Sequence, residues 1–210
     1  MIAISTAYKR ALIAYDIKGQ HGESEIDANH AHSENLLYSI DSLLSDAGIK
    51  ITDNDTYAVV IGPGSFTGIR IGMALVKGLV AGGKNERVVP LTTFDLMAYT
   101  YLKTKPKKNF VCVINALSGL FYVCAYDQQG NKLTEEEVVT GDAMSKFSGY
   151  DLVGLNEEKL CENLVEPSAK DLIELAKKRE EDSTDAKSIS PLYLRRSQAE
   201  DDLEKKLKNN

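Results

Sequence analysis

Apolar residues gather in short runs between polar or glycine-containing breaks, and their spacing switches between a period near two and one near 3.6. Residues 2–4 and 11–16 read as two strands joined around 5–10, and 21–27 as a further strand. Residues 33–46 read as a helix: Leu36, Leu37, Ile40, Leu43, Leu44 and Ala47 fall within one arc, and Gly48 ends it. A buried strand over 58–61 runs into a glycine-rich turn, and the turn into a helix over 69–80. A short strand at 88–89 precedes Pro90, and 94–102 is helical. After 103–108 the opening pattern returns. Residues 110–114 and 120–126 form a second hairpin, 132–139 and 152–155 add strands, and 169–179 is a helix carrying Leu172, Ile173, Leu175 and Ala176. Ser197 and Glu200 have capping-box spacing for a last short helix.

The turn at 62–68 comprises Gly62, Pro63, Gly64, Ser65, Phe66, Thr67 and Gly68. Its glycines miss the dinucleotide-binding spacing by one residue, and Ile69 and Arg70 stand where a P-loop needs Lys and Ser/Thr. The alternative to a phosphate cradle is a tight strand-to-helix connection. There Pro63 fixes one dihedral, Gly64 supplies an unusual one and Thr67 caps the helix. The helix behind the turn is apolar on two sides. Ile69, Met73, Val76 and Val80 share one face, Ile71, Leu75 and Leu79 lie nearly opposite, and Arg70 and Lys77 form a polar stripe between them. A helix apolar on two sides is buried on two sides. Either it lies at the centre of its own domain, or one side meets a partner chain. Gly68, Gly72, Ala74, Gly78 and Gly82 keep parts of its surface thin.

The Lys-Thr-Lys-Pro-Lys-Lys break at 103–108 reads as a boundary. It divides an α/β chain into a subdomain over 1–103 and another over 104–194, with a helix at about 195–210 returning onto the first. Two subdomains that each open with a long hairpin point to a duplication of the actin-like kind, although the match between the halves is faint.

Composition bounds the function. The 210 residues are 43% hydrophobic and 27% charged, ordinary for a globular protein. The strand pattern begins at once after Met1, so no signal peptide is expected, and no stretch approaches a membrane span. Cys112, Cys124 and Cys161 are odd in number and lack CxxC spacing, which fits reduced thiols of a cytoplasmic protein. With a net charge of −6 and a pI near 5.2, the chain is poorly suited to gripping RNA by itself.

Gly62-Pro-Gly-Ser-Phe-Thr-Gly-Ile-Arg-Ile-Gly resembles the signature of the TsaB family, also called YeaZ. His32-Ser-Glu-Asn-Leu-Leu, Leu91-Thr-Thr-Phe and Pro191-Leu-Tyr-Leu-Arg resemble further family segments, in order along essentially the whole chain. The resemblance implies an actin/Hsp70-like fold of two related subdomains, each a mixed sheet flanked by helices. It implies a role in forming N6-threonylcarbamoyladenosine at position 37 of tRNAs that read codons beginning with A. In that family the chain is not the catalyst. It pairs with the catalytic subunit TsaD, supports association of the ATPase TsaE, and reaches tRNA indirectly, through the complex. Helices equivalent to 33–47 and 67–81 meet the partner, or a second copy of the chain. The expected interface is then Leu36, Leu37, Ile40, Ile69, Met73, Val76, Lys77 and Val80, and Met73→Glu or Val76→Glu is expected to abolish pairing without unfolding.

Actin-like ATPases hold their metal–nucleotide with an Asp in each opening hairpin. Here Ser5 and Asn115 occupy those places, and Leu117 replaces an Arg of the family pattern. Neither Ser nor Asn supplies the negative charge a hard divalent cation favours, so no cofactor or metal is expected. A small-molecule kinase or ATPase of the same fold is the alternative. The His30-x-His32-x-Glu34 string has strand-like spacing at a helix start and reads as polar capping residues, not as a metal site. Ser65 lacks a nucleophile-elbow context and reads as structural. Arg195 and Arg196 are read as surface residues, with a partner or tRNA as the other possibility.

Overall fold

The computed structural model describes residues 1–27, 33–82, 87–155 and 160–195. The backbone of Ser33 and Glu34 is included, but their side chains are not. His30, His32, Arg196 and the expected terminal helix with Ser197 and Glu200 lie outside the described residues.

The first sheet begins with β1 (Ile2–Ser5), β2 (Arg10–Ile17) and β3 (Gln20–Asp27), an antiparallel meander. Helix α1 (Ser33–Asp46) follows. Strand β4 (Tyr57–Val60) then pairs parallel to β1, helix α2 (Phe66–Ala81) crosses over, and β5 (Arg87–Leu91) pairs parallel to β4. Helix α3 (Thr93–Leu102) closes this half. The second half repeats the course with β6 (Phe110–Asn115), β7 (Leu120–Tyr126) and β8 (Glu137–Thr140) antiparallel, then β9 (Asp151–Leu155) and β10 (Asn163–Val165) parallel, and α4 (Ala169–Lys178). A two-residue strand, β11 (Thr184–Asp185), pairs on the outside of β5.

The strand orders are β11-β5-β4-β1-β2-β3 and β10-β9-β6-β7-β8. Read from β3 or from β8, the two sheets are wound identically, which is the duplication of an actin-like fold. The shared winding follows from strand adjacency and crossover handedness, which do not require matching side chains in the two halves.

The two last helices exchange sheets. Phe94, Met97, Ala98 and Tyr101 of α3 join Phe110, Cys112, Cys124 and Tyr126 in the core under the second sheet. Leu172, Ile173, Leu175 and Ala176 of α4 join the core of the first, packing against β1 and β2. The break at 103–108 therefore separates the two sheets in chain order, but α3 and α4 cross that line, and β11 returns to the first sheet.

The expected strand at 132–139 is reduced to β8 plus an isolated bridge between Tyr126 and Lys132. Its first half leaves the ladder. The Thr134 hydroxyl accepts the Ala125 amide at 3.0 Å, and Lys132 turns toward Asp95 and Glu136. Strands β10 and β11 leave no signal in the sequence, because runs of three and two residues carry no periodicity.

Candidate functional site

The glycine-rich turn holds a piece of its own chain. The Ser65 amide donates to the Ala7 carbonyl at 2.7 Å, and the Thr6 hydroxyl donates to the Gly68 carbonyl at 2.6 Å. A Cβ added at Gly64 would collide with the Ala7 carbonyl oxygen, at Gly68 with that of Thr6, and at Gly72 with the Thr6 hydroxyl. These glycines admit the β1–β2 loop against the start of α2. The place where a phosphate loop would offer its amides is filled by residues 6–7.

Two details differ from expectation. Ser65, not Thr67, caps α2, its side-chain oxygen accepting the Gly68 amide at 3.1 Å. The positive φ falls on Gly62 (118°), not Gly64, within a cis Gly62–Pro63 peptide. A side chain at Gly62 would also press on Ile69 and on the Leu192 carbonyl at 3.0 Å.

The C-terminal Pro-Leu-Tyr-Leu-Arg segment lies alongside this turn. The Leu192 amide donates to the Ile61 carbonyl at 2.8 Å. The Tyr193 ring stacks on Phe66 with centroids 4.2 Å apart. Arg70 lies over the Phe66 ring, also at 4.2 Å, and its Nε donates to the Tyr193 hydroxyl at 2.7 Å. Arg195 donates to the Ala116 carbonyl at 2.8 Å, reaching the turn of the second hairpin. The two motifs far apart in sequence thus form one surface, and Arg195 is an internal tie, not a free surface cation.

The expected interface is largely turned inward. Leu36, Ile40, Ile69, Met73, Val76 and Val80 are all at most 4% exposed and sit in the core of the first sheet. Burial there excludes a partner, and the notion that Met73→Glu or Val76→Glu would spare the fold falls with it. Lys77 is half-buried, its ammonium donating to the Ile189 carbonyl at 2.9 Å. Of the eight, Leu37 is the exposed one, at 48%. The face of α2 turned away from the sheet is the other one: Thr67, Arg70, Ala74 and Gly78 are exposed, with Ile71, Leu75 and Leu79 half-covered. Thr67, Arg70, Ile71, Ala74 and Leu75 line an open groove of about 420 Å³. Helix α1, packed beside α2, exposes Leu37 and Tyr38, the latter at 74%. The helical period separates the two apolar faces, but periodicity alone cannot say which of them meets the sheet.

The residues at the mouth of the cleft do not fit a metal–nucleotide. Ser5 lies in a space of only about 50 Å³, beside Tyr8, Arg10 and Thr93; small-molecule sites run to about 300–1,000 Å³. The Asn115 side chain accepts the Leu117 amide at 2.8 Å, shaping a turn in which Leu117, Ser118 and Gly119 all have positive φ. A larger cavity of about 310 Å³ lies between the two motifs and that turn, and its lining contains no carboxylate.

A charged centre that the sequence did not announce lies between the sheets. Asp95, third residue of α3, completes a capping box with Thr92. Its other oxygen faces Arg179 at 3.2 Å, Tyr126 at 3.4 Å and Lys132 at 3.6 Å. Burial first, then the Asp95 charge, pushes the Tyr126 hydroxyl far above its ordinary value. On α4, Asp171 caps with Ser168 and takes Lys103 at 2.5 Å. Burial alone would raise that carboxyl; the Lys103 hydrogen bond, with those from Ser168, outweighs it and holds Asp171 below its usual range. The Thr-x-x-Asp and Ser-x-x-Asp spacings were the available signal for both. Both carboxylates are buried and spent on helix caps and on ion pairs within the chain, so both read as structural.

No described helix is long and apolar enough to cross a membrane. Compared with known proteins, residues 24–177 match the family model described as TsaD, tRNA N6-adenosine threonylcarbamoyltransferase. The chain is similar to the tRNA threonylcarbamoyladenosine biosynthesis protein TsaB of Haemophilus influenzae, 26% identical with 93% of each chain covered. Among solved structures it resembles a Pseudomonas aeruginosa protein described as uncharacterized with similarity to peptidase YEAZ. There the TM-score is 0.77 and the identity 22%, with 92% of this chain and 98% of that one covered. A second structure, YeaZ from the same organism, gives a TM-score of 0.72 at 23% identity over the same shares. With a match across 154 residues and the same fold throughout, this chain belongs to the family that the model describes, as one of its TsaB/YeaZ members.

Proposed function

We propose that this chain takes part in forming N6-threonylcarbamoyladenosine on tRNA, as a pairing subunit that does not itself perform the transfer. The Haemophilus relative carries the name of that biosynthesis, and the family model is that of the transferase. The observation that carries the pairing role is the outward strip of α2. Ile71, Ala74 and Leu75 of α2, together with exposed Leu37 and Tyr38 of the neighbouring α1, are apolar positions that the described residues leave exposed or half-covered. Such a surface is what a partner of the same fold could match with its own two helices. The absence of a catalytic role is supported by the filled phosphate position at residues 6–7 and the neutral Ser5 and Asn115.

In this reading the partner is a TsaD-type catalytic subunit, and a TsaE-type ATPase joins the pair. A second copy of the chain occupies the same strip when the partner is absent. Transfer RNA is reached through the complex, in the cytoplasm. Subdomains over 1–103 and 104–194 act as one scaffold because α3 and α4 interlock them. Reconstitution tests this directly: tRNA modification by the catalytic subunit is measured with and without this chain. Dependence on the chain supports the role, and equal modification without it refutes the role. Turnover of Mg–ATP by the isolated chain would instead support an ATPase.

A further inference from the structure

At the N-terminal end of the groove, Arg70 is fixed in place, and no described acidic side chain pairs with it. Its guanidinium lies 4.2 Å from the Phe66 centroid and 5.6 Å from that of Tyr193, and its Nε donates to the Tyr193 hydroxyl. The remaining described arginines are committed within the chain: Arg10 to Glu25 and Glu166, Arg87 to Ser183, Arg179 to Asp95 and Asp182, Arg195 to backbone carbonyls. For Arg70 the two terminal nitrogens make no hydrogen bond or ion pair to any described residue. The chain carries 31 acidic against 25 basic residues. The ring stack and the Tyr193 bond tie the two motifs together, and they leave the outer edge of the Arg70 guanidinium open among the described residues.

We propose that Arg70 is a preformed carboxylate receptor at the rim of the α2 groove, and that it selects a protein partner presenting an Asp or Glu beside the apolar residues that fill the groove. This rests on the pairing role proposed above. Two rings and a hydroxyl fix the fork before binding, so less side-chain freedom is lost when a carboxylate docks. A planar guanidinium takes a carboxylate through two parallel hydrogen bonds, which a lysine cannot reproduce. The groove beginning at Arg70 and continuing along Ile71, Ala74 and Leu75 favours a protein over a nucleic acid, because a phosphate backbone would leave that apolar surface wet. Tyr193 is then a positioning residue, linking the C-terminal motif to recognition at the first.

The probe is the TsaD-type subunit encoded by the same organism, titrated against the full chain by calorimetry at low and high salt. Arg70→Gln is expected to weaken pairing about tenfold and to flatten its salt dependence. Arg70→Lys should recover only a small part of the loss, and Tyr193→Phe, which keeps the ring but drops the hydroxyl, should weaken pairing about threefold. Unchanged thermal midpoints confirm folding. Ala74→Arg, which blocks the groove, separates the two ideas. If Ala74→Arg abolishes pairing while Arg70→Gln stays within twofold of the unaltered chain, the receptor is refuted and the docking surface stands. If Ala74→Arg pairs normally, the docking surface falls and the receptor with it. Loss of tRNA binding by Arg70→Gln with pairing unaltered would also overturn the proposal.

Discussion

The Ser65 amide points at the Ala7 carbonyl, 2.7 Å away, so the turn that leads into α2 closes on the loop of the first hairpin. This helix start holds the chain's own backbone in place of a ligand, and the direction in which α2 leaves the sheet is set by that contact.

The glycines of this contact should be intolerant of a single methyl. In Gly64→Ala and Gly68→Ala the new atom meets a backbone carbonyl, which cannot swing away as a flexible side chain can. A loss of about 2–4 kcal/mol is expected for each, read as a lowered denaturant midpoint. Gly78→Ala meets open space and should raise stability by about 0.5–1 kcal/mol. Equal behaviour of the three variants would show that the close approach at residues 6–7 does not matter.

Asp95 should be the costliest surface-remote carboxylate to remove. Asp95→Ala removes the side-chain half of the α3 capping box and leaves Arg179 and Lys132 facing a buried, uncharged site. About 3 kcal/mol or more is expected in chemical denaturation. A loss under about 1 kcal/mol would mean that α3 is held by its apolar face alone.

The Lys103–Asp171 pair predicts a pH signature. Asp171 has its folded value held below the ordinary 3.8, so its contribution is present above the unfolded value and is lost as pH falls through the folded one. Lys103→Met should therefore cost about 0.5–1 kcal/mol at neutral pH, modest because Lys103 is nearly half exposed. The difference between Lys103→Met and the unaltered chain should shrink below about pH 3.8. A difference that persists at pH 2 would place the effect in packing against Tyr99, over which the ammonium also lies at 4.9 Å.

How far the sequence could be read follows from particular residues. The hairpins, α1, α2, α3 and α4 were visible because each repeats its apolar residues often enough to define a period. The signature turn was visible because glycine and proline punctuate so strongly. What Gly64 and Gly68 are for was not visible, since their partner is a loop about 60 residues earlier. The outward face of α2 was misassigned for a related reason. Ile69 with Met73 and Ile71 with Leu75 are equally apolar, and only the position of β1 and β4 decides which pair is buried. Asp95 and Arg179 were ordinary charges in sequence until the exchange of α3 and α4 brought them together.

The two faces of α2 give the central claim its sharpest test. Met73→Glu would bury a charge in the core and should prevent folding, whereas Leu75→Glu lies on the half-covered outer strip. Size-exclusion chromatography of Leu75→Glu with the TsaD-type subunit, alongside its circular dichroism, is the measurement. The account predicts a folded protein that elutes apart from the catalytic subunit. A folded Leu75→Glu that still co-elutes with it at the level of the unaltered chain would contradict the account.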